Sequence, residues 1–174
     1  MIWNDEMILH WIDEGGVEPY DLRCVNPASL DLRWSGNIKT ALHLMDVDTH
    51  QYVEAWSEVA NVTGFSMQPG HFYLLDTLEY IKMPPDCVGK LFLKSSAGRM
   101  GIEHLHAGYV DSDFMGTLTM ELEIRVPWPV TIMRGQRIMQ LTIEKMIAAP
   151  LLSYRQTGRY QKQRGPTASK GLPK

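Results

Sequence analysis

The sequence predicts a mainly β fold organised as a single domain, and three observations carry that expectation. Only one segment, close to the N-terminus, has helical periodicity. After it, apolar residues recur in short alternating runs separated by Gly, Pro and Asp turns, the pattern of a sandwich or barrel. At 174 residues, 44% of them hydrophobic, the chain can bury one substantial core but hardly two.

The helix begins at Asn4, a natural N-cap, with acidic Asp5 and Glu6 in its first turn and Ile8, Trp11 and Ile12 on one face; Gly15-Gly16 ends it. In the next extended run Leu30, Leu32 and Trp34 alternate with Asp31 and Arg33. A strand over His71 to Ile81 lies between the turn formers Gln68-Pro69-Gly70 and Pro84-Pro85-Asp86. Val88 to Leu93 reads as a strand leading into a short helical turn. The clearest strand runs from Thr117 to Val126, with Leu118, Met120, Leu122, Ile124 and Val126 on one face and Thr119, Glu121, Glu123 and Arg125 on the other. Glu121 therefore points away from the apolar face. Pro127 and Pro129 mark a strand end, Arg134-Gly135 a turn, and Met139, Leu141 and Ile143 one more apolar face. Residues 1–153 are expected to form the domain and 154–174 its flexible basic lid, ordered only by a ligand.

The formal net charge of −3 hides an asymmetry. Arg155, Arg159, Lys162, Arg164, Lys170 and Lys174 lie after Tyr154 with no acidic residue among them, so the preceding 153 residues carry 11 of the 17 Lys and Arg against all 20 Asp and Glu. A body with a net charge of −9 repels nucleic acid, whose binders carry a basic face to neutralise phosphates. A short basic tail can still close over a small anion. Cys24 and Cys87 are too few for a disulfide scaffold and not spaced as a metal site, which predicts a reducing, cytoplasmic setting. No basic and then apolar leader opens the chain, and no apolar run has membrane-spanning length.

Two stretches carry candidate chemistry. Lys94-Ser95-Ser96-Ala97-Gly98-Arg99 offers two hydroxyls, a lysine and free backbone N–H groups at a helix start, as a phosphate cradle would, or alternatively a polar turn with a capping serine. It has neither Walker nor dinucleotide glycine spacing. His106 to Gly116 is rich in turn residues and leads into the strand of Glu121. The six histidines, His10, His43, His50, His71, His104 and His106, lack the H-x-E and P-C-x-x-C arrangement of zinc nucleobase deaminases, so no zinc is assigned.

Taken together, these stretches resemble the dCTP deaminase family, which shares a trimeric fold with the dUTPases. Lys94-Ser95-Ser96-Ala97-Gly98-Arg99-Met100-Gly101 is similar to its [KR]-S-S-L-[AG]-R-L-G motif. Ala107-Gly108-Tyr109-Val110-Asp111, followed by Gly116 and Glu121, resembles A-G-[FW]-I-D…G…L-E. Asn26-Pro27-Ala28-Ser29-Leu30-Asp31-Leu32-Arg33 is similar to Q-P-A-S-V-D-L-R-L-G, and Tyr160-Gln161 with Gln163-Arg164-Gly165-Pro166-Thr167 to K-Y-Q-x-Q-x-G-P-T. The matches keep the family's order over nearly the whole chain.

The resemblance implies a dUTPase-like distorted β-barrel or jelly-roll with a short N-terminal helix, assembled as a homotrimer with shared active sites. It implies dCTP, and dUTP, as substrates and a deamination without zinc, with Mg²⁺ arriving on the substrate triphosphate. Glu121 would be the proton shuttle, Ser95 and the Ala107 carbonyl would hold the water, and Arg99 would orient the acidic cluster. Lys94, Ser95, Ser96 and Gln140 would meet phosphate, Asp111 the 3′-hydroxyl and, as in the dUTPases, the water for diphosphate release, and Phe114 the deoxyribose. Tyr109, Tyr154, Arg159 and Gln163 complete the nucleotide contacts that the resemblance implies. Three features depart from the family's usual pattern: His106 replaces a threonine, the loop from Arg99 to Asp111 is slightly shorter than in some members, and Asp111-Ser112-Asp113-Phe114 is nearer to the dUTPase D-x-D-Y. Ala107-Gly108 resembles bifunctional members that continue from dUTP to dUMP and diphosphate. A deaminase that stops at dUTP, a dUTPase without deamination and a silent nucleotide-binding trimer are the alternatives.

Overall fold

The computed structural model of the chain describes residues 1–45 and 52–171, the side chains of 42–45 and 52–55 excepted. His50 and Lys174, and the side chain of His43, thus lie outside the described residues. The chain opens with helix α1 (Asp5–Asp13), followed by strands β1 (Val17–Glu18), β2 (Val25–Asn26), β3 (Ser29–Met45), β4 (Tyr52–Val59) and β5 (Gly64–Met67). Next come β6 (Phe72–Lys82), β7 (Cys87–Leu93), the short helix α2 (Ser95–Arg99), β8 (Ile102–His104) and β9 (Tyr109–Val110). The last are β10 (Met115–Ile124), β11 (Val130–Met133), β12 (Arg137–Lys145) and one helical turn, α3 (Tyr154–Thr157).

Helix α1 forms where the sequence places it. The Asn4 side chain accepts from the Met7 N–H at 3.1 Å, and Ile8, Trp11 and Ile12 are buried. The Trp11 indole N–H donates to the Lys82 carbonyl at 3.0 Å and ties the helix to the end of β6. Gly16 is required there, because a Cβ would stand 1.9 Å from the Trp11 ring nitrogen.

The mainly β expectation holds. Ten strands form one sheet in the order β8-β10-β6-β3-β12-β7-β9, with β1, β2 and β4 paired at its flanks, and β5 and β11 form a separate pair. β3 is much longer than the alternating run at Leu30–Trp34 suggests, because it serves two neighbourhoods: Leu30 to Arg33 pair with β12, and Ile38 to Met45 with β4. The register against β6 breaks between Trp34 and Ile38, and Gly36 there has φ +97°. The core lies on one face, where Leu32, Trp34, Ile38, Leu75, Met120, Leu122, Met139, Leu141 and Ile143 are fully buried. Each such large apolar side chain contributes about 1.5–3 kcal/mol on burial.

Strand β10 keeps the predicted alternation, with Leu118, Met120, Leu122 and Ile124 buried, but runs from Met115 to Ile124, not Thr117 to Val126. At its far end the Arg125 N–H turns to the Gly101 carbonyl at 2.8 Å and leaves the ladder. At the near end its register with β6 slips between Thr117 and Thr119, and the Leu118 N–H finds the Thr77 hydroxyl at 2.9 Å. Such a bulge re-aims the side chains that follow it, Glu121 among them. A carboxylate on the polar face of a strand is expected to be solvated. Here the segment after Tyr154 covers part of that face. The Thr117 N–H donates to the Gln163 carbonyl at 3.0 Å, the Lys162 N–H to the Met115 carbonyl at 2.6 Å, and the Thr167 N–H to Thr119 Oγ1 at 3.2 Å. Buried Asp76, paired in register with Thr119, accepts from the Gly165 N–H and the Ser35 hydroxyl.

Candidate active site

A cavity of about 460 Å³ lies where β10, the β9 segment and the C-terminal segment meet. β8 and β9 occupy opposite ends of the sheet order, yet the residues just before β9 reach both sides. The Leu105 N–H donates to the Glu121 carbonyl at 3.1 Å, and the Leu91 N–H to the Gly108 carbonyl at 2.7 Å, so residues 105–108 bridge β10 and β7. His106 makes the turn with φ +61°. Gly108 is held by close packing: a Cβ would come within 2.8 Å of the Leu91 carbonyl oxygen, a contact only backbone movement could relieve.

Seven of the thirteen predicted site residues line this cavity: Ala107, Tyr109, Asp111, Phe114, Glu121, Tyr154 and Gln163. Phe114 is 5% exposed, and its ring centre lies 5.9 Å from that of Tyr154. Burial pushes the Asp111 carboxyl above its ordinary range. Burial also raises the Tyr154 phenol, helped by the charge of Asp111 and opposed by the Tyr160 N–H that its oxygen accepts. Gln161 ties the C-terminal segment down, accepting from the Met115 N–H at 2.6 Å and donating to the Asp113 carbonyl at 2.7 Å. Gln163 donates to the Thr117 carbonyl at 2.8 Å.

The other six lie elsewhere on the chain. Lys94 and Ser96 border a second depression of about 340 Å³ with Gly135 and Arg137, and Ser95 and Arg99 are exposed on α2 beside it. The residue at the helix start is Lys94, and no side chain caps the helix, so the capping-serine reading is replaced. Lys94 has a partner of its own: its ammonium lies 2.6 Å from Asp31, which is 0% exposed and also accepts from Asn26 at 2.9 Å and Arg137 at 3.4 Å. Gln140 is half-buried on β12, opposite Asp31 and Phe92 in register. Arg159 is exposed and donates to the carbonyls of Lys170 and Gly171.

His104 is one of the six histidines to which the sequence assigned no zinc and no role in the site. It is buried, with Nε2 3.5 Å from Glu121 Oε2. Residues 104 and 121 meet only because β8 pairs with β10 with Leu122 opposite His104, and no spacing in the sequence announces that register. Thr119, Tyr160 and Thr167 also line the cavity, as do Trp56, Phe72 and Leu74. Among the described residues no group of three or more His, Cys, Asp or Glu is placed to hold a metal ion, and no helix is long and apolar enough to cross a membrane.

A family model described as dCTP deaminase-like matches residues 2–146. A protein of Sulfurihydrogenibium sp. named "dCTP deaminase, dUMP-forming" is 37% identical over 98% of this chain and 97% of its own length. One of Corynebacterium diphtheriae with the same name is 35% identical over 98% of this chain and 97% of its own. Among solved structures, the 2′-deoxycytidine 5′-triphosphate deaminase of Agrobacterium tumefaciens superposes with a TM-score of 0.68 at 23% identity, over 83% of this chain and 48% of that longer one, a likeness of fold. With the match running through every strand from β1 to β12, the chain belongs to the dCTP deaminase-like family.

Proposed function

We propose that the protein converts dCTP to dUTP and ammonia and then hydrolyses dUTP to dUMP and diphosphate, as a homotrimer in the cytoplasm. The observation that carries this reading is that Glu121 and Asp111, each suited to one of the two water activations, border the same cavity. The names of the curated relatives and the run of motifs support it. Buried, unpaired Cys24 and Cys87 fit a reducing setting.

In the first reaction Glu121 takes a proton from water, and the resulting hydroxide attacks C4 of the cytosine. The same carboxyl gives that proton to N3, then takes the proton of the new C4 hydroxyl and passes it to N4, so that the C4–N4 bond breaks, ammonia leaves and the C4 carbonyl forms. Ala107 lines the cavity, and its carbonyl would hold the water between itself and Glu121. Phe114 presents a buried ring that fits a deoxyribose and leaves little room for a 2′-hydroxyl. Lys94, Ser95, Ser96 and Arg99 do not line this cavity within one chain, so their predicted part calls for a second copy to bring α2 to it. That requirement supports the homotrimer with shared sites. Lys94 enters such a site already paired with Asp31, which leaves the Ser95 and Ser96 hydroxyls, the exposed Arg99 and the Gln140 amide as the freer phosphate ligands.

In the second reaction Asp111 orients a water toward the α-phosphorus, and diphosphate leaves. Mg²⁺ would neutralise charge on the transferring phosphates. Since no protein-only metal cage exists among the described residues, the substrate's own oxygens would supply most of its ligands. Tyr154, Gln163 and Thr167 already border the cavity, which suits the C-terminal segment to act as its lid. Incubation with dCTP and Mg²⁺, with products separated by anion exchange, tests the reading; dUMP, diphosphate and ammonia in equal amounts are expected. Persistent dUTP would limit the protein to deamination, and untouched dCTP beside hydrolysed dUTP would make it a dUTPase.

A further inference from the structure

Glu121 does not stand alone in the cavity wall. Its Oε2 and both ring nitrogens of His104 are shut off from solvent, and none of the three has a hydrogen-bond partner among the described residues. His104 is 1% exposed, and its Nε2 lies 3.5 Å from that same oxygen, a distance that a small side-chain shift converts into a hydrogen bond. A buried donor and a buried acceptor that face each other have a strong incentive to pair, since leaving either unsatisfied costs its full desolvation.

The imidazole is held in place from several sides. Its backbone is fixed by the β8–β10 register, with Leu122 opposite His104. The His106 ring stands edge-on to it, 5.9 Å between centres. On a third side, a Cβ on Gly108 would lie 3.3 Å from His104 Cε1, so the ring packs directly on that backbone. Glu121, by contrast, is 25% exposed and borders the cavity, so its carboxylate has one sequestered oxygen and one side open to substrate.

We propose that His104 is a positioning residue for deamination. Its Nε2–H holds Glu121 Oε2 and leaves Oε1 to exchange the proton with water, with N3 and with the departing amine. The inference rests on the deaminating role of Glu121 proposed above. A glutamate fixed at one oxygen presents the other in a single orientation, and misplacement of a catalytic group by about 1 Å can cost about 100-fold in rate. Among the described residues Asp111 forms no hydrogen bond or ion pair with His104, so diphosphate release from dUTP is expected to be indifferent to this residue.

The test compares two substitutions in the full-length protein with dCTP and dUTP as separate substrates. His104→Phe keeps the ring volume and removes both nitrogens, whereas His104→Gln returns an N–H donor at similar reach. His104→Phe is expected to lower kcat for dCTP about 100-fold while KM for dCTP, affinity for dUTP by calorimetry and the rate of dUTP hydrolysis each stay within about threefold of the parent. His104→Gln is expected to recover kcat to within about tenfold of the parent. If His104→Phe does not fold, His104→Met, of similar length and without a donor, replaces it in the comparison. Deamination by the donor-less variant within about threefold of the parent overturns the proposal. So does parallel loss of dUTP binding and both reactions, with Gln no better than Phe, which would mark His104 as packing alone. A parent protein that leaves dCTP intact overturns the deamination reading itself; a parent that deaminates beside an indifferent His104→Phe overturns only the role of His104.

Discussion

Replacing Lys94 is expected to unfold the protein more readily before it tells anything about phosphate. Its ammonium lies 2.6 Å from a carboxylate that is 0% exposed, and the remaining partners of Asp31 are the Asn26 amide at 2.9 Å and Arg137 at a longer 3.4 Å. Removing one partner of a buried ion pair costs about 3–5 kcal/mol, because the charge left behind has lost water and gained nothing. Arg137 and Asn26 stay in contact, so Lys94→Met belongs at the lower end, ~3 kcal/mol. For a chain of this size that corresponds to a fall in Tm of about 6–12 °C. The assay is thermal unfolding at one fixed protein concentration, since the proposed assembly would add to apparent stability. Asp31→Leu on the Lys94→Met background removes the stranded charge and is expected to return much of the loss. If Lys94→Met melts within about 1 °C of the parent, a shift equivalent to well under 1 kcal/mol, Asp31 does not depend on Lys94 and the ion-pair reasoning fails.

Glu121→Gln is expected to retain dUTP hydrolysis and lose dCTP deamination by about 10²–10⁴-fold, the usual contribution of a proton-transfer group; product analysis on both nucleotides checks it, and deamination within about threefold of the parent would reduce Glu121 to a wall residue. Deleting residues 154–174 removes Tyr154, Gln163 and Thr167 from the cavity and is expected to raise KM for dCTP about tenfold or more, the equivalent of ~1.4 kcal/mol of lost contact; unchanged steady-state kinetics would dismiss the lid. For dUTP hydrolysis, burial raises the Asp111 carboxyl, so the active carboxylate is lost on acidification at a pH above the ordinary Asp value of 3.8. A pH–rate profile is expected to show its acid limb on the alkaline side of that value, and a rate flat down to about pH 4 would separate Asp111 from the step.

How far the site could be read in advance is clearest on β10. Its alternation placed Glu121 on the polar face, and the structure agrees. The alternation did not say that this face is covered, because the cover comes from residues 160–167, some forty positions along the chain, held by backbone bonds to Met115 and Thr117 and by the side chains of Gln161, Gln163 and Thr119. Lys94 shows the opposite case. Its motif and its neighbours marked it for phosphate, while its partner Asp31 sat in another motif, and only the pairing of β3 with β12 and of β12 with β7 brings the two within reach.

The sequence by itself determined what is local: the capped N-terminal helix, the alternating strands, the turns, the excess of acid in the body with base in the tail, and the motifs that mark the family. Those depend on residues a few positions apart, where propensity, periodicity and charge act directly. Only the tertiary structure decided which of the candidate residues share a cavity, that His104 faces Glu121, and that Lys94 and Arg99 lie away from both within one chain. These follow from strand order and register, and a shift of one residue in any of the pairings would turn a whole row of side chains to the other face. Register is fixed by the fit of the complete core, Leu32, Leu75, Met120, Leu122 and Leu141 among it, and no short stretch of sequence contains that information.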